Sequence, residues 1–131
     1  MAKPQPSDLE LQVLSVLWAH GPGTVREIYR ALPDGKQRAY TTVLTVLQNL
    51  ERKRLVGHRR EGNRHVYTAR ISRDRVLEPL VQRLLRHAFR GRASQLVHYL
   101  LSDPAVDPDE LEQIRRLLAR HDQGPGKEGE A

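Results

Sequence analysis

The side chains in this chain best suited to chemistry are short hydrogen-bonding groups set among cations. Thr41, Thr45, Gln48, Asn49 and Arg52 crowd the stretch RAYTTVLTVLQNLERKRL, Arg38 to Leu55. Each has a use at a DNA base edge. A threonine hydroxyl bonds base or phosphate while its methyl meets a thymine methyl, Asn or Gln pairs bidentately with adenine, and Arg takes guanine or phosphate. Arg38 and Tyr40 stand at the start of the stretch, Tyr40 being as well suited to packing as to a DNA contact. Arg59, Arg60 and Arg64 follow shortly after and are candidates for phosphates or an adjacent minor groove.

Other chemistries find little to work with. There is no cysteine, which removes disulfides, thiolate metal sites and cysteine nucleophiles. His58 and His65 flank one hairpin and could face each other, but no third ligand accompanies them, and His20, His87, His98 and His121 lack metal-ligand spacing. No metal or cofactor is expected. No glycine-rich phosphate loop or nucleophile motif is present, and the carboxylates are scattered or placed as helix caps, so no enzyme is expected.

Charge points the same way as the side chains. Residues 1 to 72 hold 12 Lys+Arg against 6 Asp+Glu, whereas residues 73 to 131 hold 10 against 10, so the net +6 lies wholly in the first part. Residues 36 to 70 alone carry 9 basic groups against Glu51 and Glu61. A patch of that density suits a polyanion, with nucleic acid first among them. The bland alternative is a solvated basic face that keeps the chain soluble.

Helices must position these groups. Ser7 with Glu10, and Thr24 with Glu27, are capping boxes. The first precedes Leu9, Val13, Val16, Leu17 and His20 at helical spacing; the second precedes Val25, Ile28, Tyr29 and Leu32. The opening stretch is rich in β-branched residues, yet at 100° per residue Val46, Leu47, Leu50 and Arg54 fall within about 60° of Val43, while Thr41, Thr45, Gln48 and Arg52 gather opposite. Strand alternation would mix polar and apolar residues on one face, so a helix is expected. Val56 to Thr68 then alternates around EGN, a β-hairpin with Gly62 and Asn63 able to take positive φ. Three helices followed by a basic hairpin is the winged-helix order.

The second part is helical and neutral. Val76, Leu77, Leu80, Val81, Leu84, Leu85 and Ala88 recur every three to four residues, with Pro79 either kinking that helix or marking its start. A short helix in ASQLVHYLLSD and a last one capped by Asp107 and Glu110 follow, before a tail expected to be disordered over 122–131. The two-sided stripe from Val76 to Ala88 exceeds what one small domain must cover. No run approaches the roughly 20 apolar residues of a membrane span and no apolar leader follows the first methionine, so a soluble cytoplasmic protein is expected.

In order, DLELQVLSVLWAHGPGTVREIYRAL, AYTTVLTVLQNLERKRLV, REGNRHVYTA and LVHYLLSDPAVDPDELEQIRRLL resemble the penicillinase-repressor (BlaI/MecI/CopY) family, over roughly residues 7 to 120. The resemblance implies a winged-helix DNA-binding domain joined to a helical dimerisation arm, acting as a homodimeric repressor on palindromic operators. Leu77, Leu80, Leu84, Val97, Leu100, Leu101, Leu111, Ile114 and Leu118 are the candidate contacts of that arm. It implies that Thr42 and Thr45 hold the family's recognition-helix positions, Thr42 lying at the edge of the wheel, and it puts Asn49 where many relatives carry arginine. It also implies relief of repression through a sensor pathway, by cutting the arm or by metal at a cysteine motif. Tyr99-Leu100 stands where the penicillinase branch carries its scissile Asn-Phe, and the cysteines are missing.

The expectation is therefore a mainly α chain. Residues 1–71 form a winged helix-turn-helix with a recognition helix near 39–54 and a wing near 56–69, residues 72–121 a dimerisation domain, and the partners are double-stranded operator DNA and a second copy. Two rivals remain: a basic module that meets acidic protein or RNA, and a winged-helix regulator that senses a small molecule.

Overall fold

The computed structural model describes residues 6–33 and 38–123. Most of the expected loop PDGKQR and of the expected tail lies outside them. The elements are α1 (Asp8–His20), β1 (Gly23–Thr24), α2 (Val25–Ala31), α3 (Tyr40–Arg52), β2 (Val56–Glu61), β3 (Arg64–Ala69), α4 (Arg73–His87), α5 (Ala93–Leu101) and α6 (Pro108–Asp122). The described chain divides into two compact units, Met1–Gln82 and Arg83–Ala131.

Both capping boxes form. Ser7 Oγ accepts from the Glu10 amide at 3.2 Å while Glu10 Oε1 accepts from the Ser7 amide at 2.9 Å. Thr24 and Glu27 repeat the pattern at 3.2 and 2.9 Å. Each box satisfies amides that the first helical turn leaves without a carbonyl partner. Gly21, at φ 83, ends α1 and returns its amide to the Leu17 carbonyl. Only a residue without a Cβ adopts that φ cheaply.

α1, α2 and α3 close on a common core. Val13, Leu14, Val43, Leu47 and Leu50 are completely buried, with Ile28, Leu32, Leu55, Val56 and Tyr67 around them. Each such aliphatic side chain contributes about 1.5–3 kcal/mol by leaving water. Two details differ from the periodicity reading. Leu14 belongs to this core while His20 is exposed, because α1 is covered on a broader side than its sparse stripe suggested. Arg54, expected on the inward face of α3, lies past the end of that helix in the left-handed region at φ 66 and is exposed.

The sheet is antiparallel, in the order β1-β3-β2. Gly23 pairs with Tyr67 and Thr24 with Val66, so a two-residue strand between α1 and α2 adds a third strand to the hairpin. Sequence pattern cannot show this strand, since its only strand signal is a partner more than 40 residues away. The hairpin turns on Gly62–Asn63, but only Gly62 has positive φ (63°), with Asn63 in the ordinary region. That matches a turn needing glycine at its first central position alone. Trp18 Nε1 donates to the Ile71 carbonyl at 2.9 Å, tying α1 to the segment after β3.

Ser72 caps α4 through the Arg75 amide at 3.2 Å, and the helix runs through Pro79 rather than starting there. Val76 is the last fully buried apolar side chain in the described chain. In the second unit Arg90 and Gly91, both at positive φ, turn the chain into α5. Asp107 caps α6 through the Glu110 amide at 2.9 Å, with Pro108 at the first helical position, where a missing amide costs nothing. Neither α5 nor α6 buries a residue completely. Among the described residues no helix is long and apolar enough to cross a membrane.

Candidate nucleic-acid interface

α3 has two sides of opposite character. Val43, Leu47 and Leu50 seal the core from one side, and Thr41, Thr42, Thr45, Gln48 and Arg52 are exposed on the other. Thr42, at the margin by wheel geometry, is as open to solvent as its neighbours. Thr45 Oγ1 donates to the Thr41 carbonyl at 2.9 Å, so its proton is spent within the helix while its oxygen and methyl remain available outward. Asn49 is half-buried and lines a recess with Ser7, Glu10 and Lys53, turned more toward α1 than the threonine row.

The far end of α3 is anchored across the chain. Lys53 Nζ reaches both Glu10 oxygens, at 2.9 and 3.0 Å. Burial works against ionisation of Glu10, but the Ser7 amide and the Lys53 ammonium outweigh it, and the carboxyl titrates below its ordinary value. At its start, α3 has Ala39 where α1, α2 and α6 have Ser7, Thr24 and Asp107, and no side chain among the described residues caps it.

The wing stands beside this helix. His58 Nδ1 lies 2.8 Å from both oxygens of Glu51 on α3. A carboxylate only accepts, so Nδ1 carries the proton. His58 and His65 do face each other, with ring centroids 4.4 Å apart and planes 17° apart, but they stack like plates. No group of three or more ligating side chains is found among the described residues. Beneath them Tyr67 is buried, and burial, reinforced by Glu51 and Tyr40, raises its phenol above the ordinary value.

The three wing arginines are exposed and differ in their partners. Arg59 Nε donates to Glu61 at 2.7 Å and Arg60 Nε to the Gly62 carbonyl at 3.2 Å. Arg64 lines a groove of about 630 Å³ together with Arg26 and Arg30 of α2 and Tyr40 of α3. Tyr40 packs edge-on against Tyr29 at 6.0 Å, the packing expected as one of its two uses, and remains 43% exposed. Arg38, just ahead of α3, is half-buried. Arg26 and Arg30 escaped the sequence reading, which weighed α2 only for its apolar stripe; their spacing of four on a helix was the available signal.

The proposed dimer contacts are of two kinds. Leu77, Leu80, Leu111 and Ile114 are partly covered, whereas Leu84, Val97, Leu100, Leu101 and Leu118 are exposed, together with Val81, Tyr99 and Leu117. Tyr99 and Leu100 lie inside α5, where Tyr99 meets Phe89 edge-on at 5.6 Å.

A three-helix core with a three-stranded wing, and a polar row along the outer side of the third helix, defines a winged helix-turn-helix of the DNA-binding class. The penicillinase repressor family model matches residues 6–120. The transcriptional regulator BlaI of Mycobacterium tuberculosis is 38% identical over 122 residues, spanning 91% of this chain and 86% of that protein. The penicillinase repressor of Bacillus licheniformis is 27% identical over 118 residues, 90% of this chain and 92% of its own length. The solution structure of the DNA-binding domain of the repressor BlaI aligns with a TM-score of 0.50 and 32% identity, covering 56% of this chain and 90% of that one. The chain belongs to the penicillinase repressor family, a family of transcriptional repressors rather than of enzymes.

Proposed function

We propose that this protein is a cytoplasmic homodimeric repressor in which residues 1–71 read operator DNA and residues 72–121 join two copies. Repression is by occlusion: α3 of each copy enters a major groove, and the bound dimer excludes polymerase from the promoter. The observation that carries this reading is the division of α3, whose inner row seals the core while Thr41, Thr42, Thr45 and Gln48 stand in solvent. A helix so fixed presents its outer row on a backbone that is already ordered. The uncovered leucines of the second unit support the two-copy assembly, and linking two modest modules raises affinity through effective concentration. The BlaI domain that aligns with this chain is a DNA-binding domain, which agrees with this.

A duplex selected from a random-sequence pool provides the test. The full chain should hold it at least about a thousandfold more tightly than a scrambled duplex of the same composition. Thr42→Ala and Thr45→Ala should each lose about 1–3 kcal/mol of that discrimination. Equal binding of scrambled DNA or of RNA would favour a basic interaction module instead.

A further inference from the structure

We infer that the groove between α2, the start of α3 and the wing turn is a seat for one DNA backbone strand, with Arg26 and Arg30 as phosphate contacts. The inference rests on the DNA-reading role proposed for α3. Its starting point is topological. If α3 lies in the major groove and the wing meets the neighbouring minor groove, those two grooves are separated by a single sugar-phosphate strand. That strand must pass through whatever gap separates α3 from the wing.

The gap exists and its lining fits. The groove of about 630 Å³ takes Tyr40 from α3, Asn63 and Arg64 from the wing turn, and Arg26 and Arg30 from α2. Arg26 and Arg30, one helical turn apart, are both exposed. Glu27 also lines the groove, but Thr24 engages its carboxylate and Arg64 offsets it, and together they hold it below its ordinary value. Three guanidiniums against one engaged carboxylate leave the groove cationic. The start of α3, at Tyr40, has no side-chain cap among the described residues and adds its dipole on the same side. Arg59, by contrast, is already paired with Glu61. Arg64 is the wing arginine that lines this groove, and Arg26 and Arg30 of α2 join the phosphate candidates that the sequence placed on the wing and on α3.

Fluorescence anisotropy of the full chain on the selected duplex, read from low to moderate salt, tests this. Arg26→Gln and Arg30→Gln should each lower the slope of log affinity against log salt by about one. Affinity should fall alike on the selected and scrambled duplexes, leaving their ratio within about twofold, because phosphate contacts carry no sequence information. Arg26→Lys and Arg30→Lys should restore the slope. Arg120→Gln, an equal loss of charge on α6, should leave it unchanged. Slopes unaltered in the glutamine variants, or lowered as much by Arg120→Gln, would overturn the groove assignment while the wild type's preference for the selected duplex keeps α3 as reader. A wild type without that preference would remove the reading on which the groove depends.

Discussion

The two units of this chain solve the burial problem differently. The first, Met1–Gln82, contains every fully buried apolar side chain of the described structure, from Val13 to Val76. The second, Arg83–Ala131, leaves Leu84, Val97, Leu100, Leu101, Leu117 and Leu118 between 38 and 60% exposed. The first has a closed apolar core of its own, whereas the second leaves most of its leucines uncovered. That contrast runs parallel to the charge: the excess of cations gathers in residues 1–72, and the uncovered leucines lie in the neutral remainder.

The largest expected effect lies in the first unit. Leu47→Ala removes a completely buried side chain at the junction of the three helices and should destabilise the chain by about 2–5 kcal/mol, read by chemical denaturation. The loss should not depend on protein concentration. Leu101→Asp in α5 is the counterpart, a charge on an exposed apolar site. It should raise the dimer dissociation constant roughly thirtyfold or more in sedimentation equilibrium while leaving the unfolding of the first unit intact. If both substitutions destabilised the monomer alike, the two units would not differ as described.

Smaller effects sharpen the picture within the first unit. Trp18→Phe keeps an aromatic body but leaves the Ile71 carbonyl without its donor, at a cost of about 0.5–1.5 kcal/mol by thermal unfolding. Glu10 gives a pH signature. Its folded-state value is depressed, so the stability it contributes is complete above its unfolded value and is lost as pH falls through the lower folded one. Glu10→Gln should therefore flatten the acid limb of the stability curve and change nothing of its shape near neutrality. An acid limb identical to wild type would mean that Glu10 and Lys53 do not anchor α3.

Much of this was legible in the chain. The capping boxes at Ser7 and Thr24 are local codes and form as written. α3 could be read through its β-branched residues because burial of Val43, Leu47 and Leu50 outweighs intrinsic propensity. What pattern could not reach depends on distant pairing. β1 exists only because Gly23 and Thr24 meet Tyr67 and Val66, and the anchor of α3 needs Glu10 and Lys53 to be neighbours across 43 residues. Arg54 shows the opposite failure: the wheel continued past the point where the helix stops and the backbone turns left-handed. The groove is built by three elements at once, so Arg26 and Arg30 acquire meaning only after Arg64 and Tyr40 are set beside them.

Whether one unit reads DNA and the other pairs the readers is decided by affinity for a palindromic duplex against its single half-site. The wild-type chain should prefer the palindrome by about a hundredfold or more, and Leu101→Asp should abolish that preference while retaining half-site affinity. An undiminished preference in the variant, or none in the wild type, would contradict the claim.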